Sequence, residues 1–166
     1  MKTVVLDISH ASHVNIFKNV ITKLVNDNNV YLTILNRSNL VKIAEHEFSE
    51  LKHIKQIGSW GPKKANIIFN ANILRFFGFL MYFIRIKPDI GASSGCIPFS
   101  LALRLLGKPV IDFSDDPERT FVAKIELLLC TKKYYPPFIK LKHRKVGNYN
   151  CLKQWGYLHP NYFSPN

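Results

Sequence analysis

The stretch that is most informative about the fold lies at the start of the chain and reads Thr3-Val4-Val5-Leu6-Asp7-Ile8-Ser9-His10-Ala11-Ser12-His13-Val14. It runs through a predicted strand and loop into the first predicted helix. The apolar, β-branched run from Thr3 to Ile8 predicts a short buried strand. The polar residues 9–13 predict a loop. Apolar residues from Val14 to Val25 then recur at helical spacing, which predicts an amphipathic helix. A strand that leads directly into a helix is the repeating unit of parallel α/β sheets.

This unit recurs along most of the chain. Further strands are predicted at residues 30–35, 53–57, 89–92 and 110–113, and further helices at 40–48, 67–86, 99–106 and 119–128. Strands that alternate with helices predict an α/β fold, a Rossmann-like parallel sheet with helices on both faces. With 166 residues, 47% of them hydrophobic, the chain has material for one core, so we expect a single domain over residues 1–166.

The charge distribution points to an anionic partner. The formal net charge is +12, and residues 127–166 hold seven Lys or Arg and no Asp or Glu. We expect the basic C-terminal segment, residues 131–166, to meet an anionic membrane surface, nucleic acid or an acidic subunit, unless it is simply a solvated basic surface. Nucleic acid is the unlikely partner among these, because the sequence contains no helix-turn-helix or RNA-binding motif.

Cysteine spacing and apolar runs predict the compartment. Cys96, Cys130 and Cys151 form no C-x-x-C pair, which favours a reducing cytosol and no metal site. The N-terminus has no signal-peptide core, and the longest apolar run, residues 76–84, is far shorter than a membrane span. We therefore expect a soluble cytoplasmic protein. The apolar helix at 67–86 is either buried or, with its basic neighbours, lies peripherally on an anionic membrane.

Ligands of parallel sheets bind beyond the carboxyl ends of the strands, so the loops there carry the candidate site. The first loop has no glycine, which excludes the dinucleotide fingerprint, and we expect no cofactor. Its two histidines, His10 and His13, could donate to a phosphate or hydroxyl or move a proton. Alternatively, His13 caps the helix and His10 faces water.

Two later loops contribute further candidates. Ser93 and Ser94 precede a helix, where hydroxyls and free amides could bind an anion or could simply cap the helix. Four of the 11 acids lie within residues 112–118. Such a cluster favours sugar hydroxyls, a metal or a general base, although helix capping by Asp116, with Glu118 in the first turn, is the alternative. Capping does not account for Asp115.

Three stretches of the sequence resemble a known family. Asp7-Ile8-Ser9-His10-Ala11-Ser12-His13-Val14 resembles a D-I-x-H-P-x-H-V opening, and Gly107-Lys108-Pro109-Val110-Ile111-Asp112-Phe113 resembles that family's fifth strand. Tyr149-Asn150-Cys151-Leu152-Lys153-Gln154-Trp155-Gly156-Tyr157-Leu158-His159-Pro160 is similar to Y-x-G-x-K-E-x-A-Y-L-H-P. The family is a poorly characterised archaeal and bacterial group similar to UDP-N-acetylglucosamine 2-epimerases and GT-B glycosyltransferases.

The resemblance implies the N-terminal, acceptor-side half of a GT-B-type enzyme that handles sugar nucleotides and is inactive alone. A second Rossmann-like subunit would carry the nucleotide-sugar site, unless the protein is a remnant. The implied acid–base groups are His13, Asp115 and Glu118, and the implied substrate contacts are His10, Ser93, Ser94 and Asp116. The alternative is a non-catalytic subunit that binds a partner or a membrane.

Overall fold

The computed structural model describes residues 1–115 and 120–149, which form one sheet of seven parallel strands. The strands are β1 (Lys2–Ile8), β2 (Asn28–Asn36), β3 (Ile54–Ser59), β4 (Ile90–Ser93), β5 (Val110–Phe113), β6 (Lys132–Tyr135) and β7 (Val146–Asn148). Their order across the sheet is β3-β2-β1-β4-β5-β6-β7. The predicted Rossmann-like parallel sheet is confirmed.

Helices cover both faces of the sheet. They are α1 (Ala11–Leu24), α2 (Leu40–Glu47), α3 (Lys64–Ile68), a π-helix (Phe69–Leu74), α4 (Arg75–Ile86), α5 (Ile97–Leu105) and α6 (Thr120–Leu129). Side chains of β1 alternate between the faces because successive residues of a strand point to opposite sides. Leu6 packs under α1 and α2, whereas Val5 packs under α4 and α5.

The long helix, Lys64–Ile86, differs from its prediction in two ways. It begins three residues before the predicted start, and its residues Phe69–Leu74 form a π-helix between α3 and α4. Of the two alternatives for this helix, the buried core helix does not hold, because only 22% of its most apolar 18-residue window is buried. Among the described residues, it is the one helix that is long and apolar enough to cross a membrane by length and composition alone.

The basic segment contributes to the sheet. Residues 132–135 and 146–148 form β6 and β7, two short strands that the sequence did not predict. Lys133 of β6 is fully buried and forms ion pairs with Asp112 and Glu126. Part of the basic charge therefore belongs to the core. Residues 150–166 of this segment, which include most of the third family-like stretch, lie outside the described residues.

Candidate functional site

The site is a cavity where the strand order reverses. The adjacent strands β1 and β4 continue in opposite directions across the sheet, β1 to β2 and β4 to β5, which opens a crevice between their carboxyl ends. A cavity of about 350 Å³ lies there. Its described lining residues are Ser9, His10, His13, Leu35, Arg37, Trp60, Ala71, Asn72, Arg75, Ser94, Gly95, Cys96, Ile97 and Pro98.

A buried ion pair lies under this cavity. Asp7, the penultimate residue of β1, is fully buried, and its Oδ1 accepts hydrogen bonds from Arg75 Nη2 and Thr33 Oγ1, both at 2.8 Å. Its other oxygen accepts from Ser9 Oγ at 2.8 Å. Arg75 Nη1 donates to the same serine at 3.1 Å, and Arg75 Nε donates to the carbonyl of Ile57 at 3.0 Å. The pair therefore fixes the first loop against the long helix.

Cys96 lies beside this ion pair and is buried. Burial raises the pKa of the Cys96 thiol to about 12, and the nearby charge of Asp7 adds to the rise. Arg75 Nη1 lies 3.4 Å from the sulfur, but its charge is compensated by Asp7. A thiol that stays protonated is a poor nucleophile, so Cys96 contributes to the cavity as a small apolar group.

The two histidines of the first loop both use Nδ1 within the protein. His10 caps α1, and its Nδ1 accepts from the amide of Ser12 at 3.4 Å. His13 Nδ1 accepts from the amide of Ser9, also at 3.4 Å. A backbone amide can only donate, so the neutral form of each ring carries its proton on Nε2. Capping thus falls to His10, and His13 lies buried in the first turn of α1.

The serines after β4 occupy different environments. Ser94 lines the cavity, whereas Ser93 is fully buried and its hydroxyl lies 3.4 Å from Asp112 Oδ1. Cys96 occupies the N-cap position of α5, so the alternative that one of these serines caps the helix does not hold. Asp112 instead accepts from the amide of Gly95 at 2.8 Å and thereby holds the loop between β4 and α5.

Asp112 belongs to a buried charge cluster rather than to the cavity. Lys133 Nζ lies 2.9 Å from Asp112 Oδ2 and also contacts Glu126. Burial opposes the charge of Lys133, but the two carboxylates outweigh burial and raise its pKa above the usual value. A buried carboxylate near other acidic residues needs a cation to compensate its charge, and Lys133 is that cation for Asp112.

The predicted acid–base residues are placed as follows. His13 lines the cavity together with His10 and Ser94. Asp115 lies on the same edge, after β5, but is exposed and is not among the described lining residues. Asp116 and Glu118 lie outside the described residues.

The sequence did not single out Arg37 and Trp60, which form one wall of the cavity. They follow β2 and β3 directly, in loops that the topology assigns to the ligand edge. The guanidinium of Arg37 lies 4.3 Å from the centre of the Trp60 ring, a cation–π contact. A single Arg or Trp in a loop belongs to no recognisable sequence motif. The sequence could have pointed to Arg37 and Trp60 only through their positions directly after predicted strands.

Comparison with known proteins agrees with this architecture. No protein-family model matches the sequence, and no curated protein sequence matches it. Among solved structures, MurG of Acinetobacter baumannii matches over 88% of this chain and 44% of its own, with a TM-score of 0.62 and 16% identity. The UDP-GlcNAc 2-epimerase of Methanocaldococcus jannaschii matches over 88% and 44%, at 0.61 and 11%.

A third structure extends the comparison to a ligand complex. The UDP-GlcNAc 2-epimerase of Neisseria meningitidis, solved with UDP-GlcNAc, matches over 82% of this chain and 40% of its own, with a TM-score of 0.60 and 15% identity. The chain thus spans less than half the length of these three proteins. It has a GT-B-like fold and corresponds to one Rossmann-like half of that fold.

Proposed function

We propose that the chain is the acceptor-side half of a sugar-nucleotide-dependent enzyme of the glycosyltransferase or epimerase type. A second Rossmann-like subunit or domain would carry the nucleotide sugar. The observation that supports this best is the cavity at the strand-order reversal, in a chain that spans about 40% of proteins whose fold has two such halves. The cavity opens at the edge where a second half would meet it.

In this proposal the acceptor contacts His13, His10 and Ser94 in the cavity. Because His13 Nδ1 accepts from Ser9, its Nε2 is suited to donate a hydrogen bond or proton to an acceptor oxygen. Asp115 and Glu118 are the candidate general bases, Asp116 is a candidate substrate contact, and Ser93 positions the β4–α5 loop through Asp112. No cofactor is required for acid–base chemistry of this kind.

The experiment is a reconstitution. The isolated chain should show no turnover of UDP-, GDP- or CMP-sugars, and adding the Rossmann-like product of a neighbouring gene should restore it. In the reconstituted enzyme, His13→Gln should lower kcat about 10²- to 10⁴-fold, the usual range for a lost acid–base group. The matched control is His46→Gln, because the side chain of His46 is 87% exposed on α2. Robust turnover by the isolated chain would contradict the proposal.

A second candidate function, peripheral membrane binding, is favoured by the surface of the long helix. We define its apolar face as the exposed large side chains Ile68, Phe69, Ile73, Leu74, Phe77, Met81 and Ile84. Seven large apolar side chains are thus exposed along one helix, whereas monomeric proteins rarely expose large contiguous apolar patches. Residues 51–88 also contain seven Lys or Arg and no Asp or Glu, and Lys63, Lys64, Arg85 and Lys87 are exposed. This combination suits an anionic bilayer.

Vesicle binding tests this second candidate. The protein should bind vesicles that contain phosphatidylglycerol more tightly than neutral ones, and salt should weaken the binding because exposed charges are screened. Replacing Phe77 and Met81 together by Ser should lower the affinity at least about tenfold, since each side chain contributes about 1.5–3 kcal/mol when fully buried. Leu105→Ser is the matched control, because Leu105 is equally exposed on α5. Equal binding to both vesicle types would contradict the candidate.

A further inference from the structure

We propose that the cavity binds the phosphate or pyrophosphate group of an amphiphilic acceptor, whose apolar chain lies along the apolar face of the long helix. The inference rests on the proposed function, because it names the acceptor class of the same site. It follows from three features: the charge of the cavity, the environment of Arg37, and the position of the π-helix.

The described lining of the cavity favours an anion. It contains two arginines, two histidines and several hydroxyl or amide donors, and no Asp or Glu is among the described lining residues. His10 uses Nδ1 as an acceptor within the protein, so its ring can present an Nε2 proton to a ligand. A cavity of this composition offers hydrogen-bond donors to an anionic ligand, and its described lining has no carboxylate that would repel the anion.

Arg37 supplies the uncompensated charge. The charge of Arg75 is compensated by Asp7 at 2.8 Å, whereas no carboxylate within residues 1–115 and 120–149 pairs with Arg37. Its guanidinium is held over Trp60 and remains partly exposed. A planar guanidinium in a fixed orientation matches two oxygens of a phosphate group. Arg37 is therefore the residue that recognises the anion, and Trp60 positions it.

The π-helix joins this cavity to the apolar face. Ala71 and Asn72 line the cavity, while their neighbours Phe69, Ile73 and Leu74 are exposed on the apolar face. π-helices often occur at functional sites. A phosphate bound beside Arg37 therefore lies close to these exposed apolar side chains. A ligand that uses both has an anionic head and a hydrocarbon tail.

The test compares three probes by calorimetry, without vesicles or sugar nucleotide: inorganic pyrophosphate, farnesyl diphosphate and farnesol. Farnesyl diphosphate should bind at least about tenfold more tightly than pyrophosphate, because its chain leaves water on the apolar face. Farnesol should bind more weakly than farnesyl diphosphate, because it lacks the anionic group. Arg37→Gln should weaken pyrophosphate and farnesyl diphosphate about tenfold, as expected for the loss of a charge-assisted hydrogen bond.

Paired variants separate the two parts of the site. Phe69→Ser with Ile73→Ser should weaken farnesyl diphosphate toward the affinity of pyrophosphate and leave pyrophosphate unchanged. Arg104→Gln and Leu105→Ser, exposed neighbours on α5, are the controls and should change neither. Equal affinity for pyrophosphate and farnesyl diphosphate, or binding unaffected by Arg37→Gln, would overturn the inference. The proposed function is judged separately, by turnover of the reconstituted enzyme.

Discussion

At the scale of single residues, Arg75 organises the base of the cavity. It is almost fully buried, and its guanidinium donates to Asp7, Ser9 and the carbonyl of Ile57. A buried ion pair of this kind adds little net stability compared with a well-packed apolar pair, but removal of one partner leaves a buried charge without compensation. Its importance is therefore visible only when one partner is changed.

Arg75→Met should lower the free energy of unfolding by about 3–5 kcal/mol, because the carboxylate of Asp7 would remain buried and uncompensated. Urea denaturation measures the change. Lys18→Met breaks the exposed ion pair with Glu47 and should cost less than about 1 kcal/mol. If both variants lose the same small amount, the pair under the cavity is not a structural anchor.

The cavity residues could be predicted only in part. His10, His13 and Ser94 were identified because parallel strands place their following loops on one edge. Asp115 follows β5, which is separated from β1 by β4, so it starts about 10 Å away at a strand spacing of about 4.8 Å. The strand order that sets this distance is not written in local periodicity, and neither is the pairing of Asp7 with a residue 68 positions away.

At the scale of elements, the pattern of apolar residues predicted β1 to β5 and the helices between them. It did not predict the π-helix, because the long helix is apolar nearly all round and its sequence shows no change of period at Phe69–Leu74. The strand β6 was missed for a different reason. Its sequence Lys132-Lys133-Tyr134-Tyr135 has the composition of a solvated segment, and Lys133 is buried only because Asp112 and Glu126 compensate its charge.

At the scale of the whole molecule, several buried groups hold protons more tightly in the folded than in the unfolded chain. Burial raises the pKa of Cys96 from 9.0 to about 12, and burial also raises the pKa of Cys130 above 9.0. The pKa of Lys133 is raised above 10.5, since burial opposes its charge but Asp112 and Glu126 outweigh burial. For each group, the folded state binds more protons than the unfolded state between the two pKa values.

The free energy of unfolding should therefore fall as pH rises above about 9. The stabilisation from each raised pKa is fully present below the unfolded value and is lost as pH rises toward the folded value. Each thiol that titrates only in the unfolded chain contributes a slope of up to about 1.4 kcal/mol per pH unit. Urea denaturation between pH 8 and 10.5 measures this slope. Cys96→Ala should reduce the slope by up to about 1.4 kcal/mol per pH unit, the contribution of one thiol. Lys124→Gln, a change in an exposed lysine of α6, is the control and should leave the slope unchanged. A stability that stays constant over this range would show that the two thiols are not held protonated by burial.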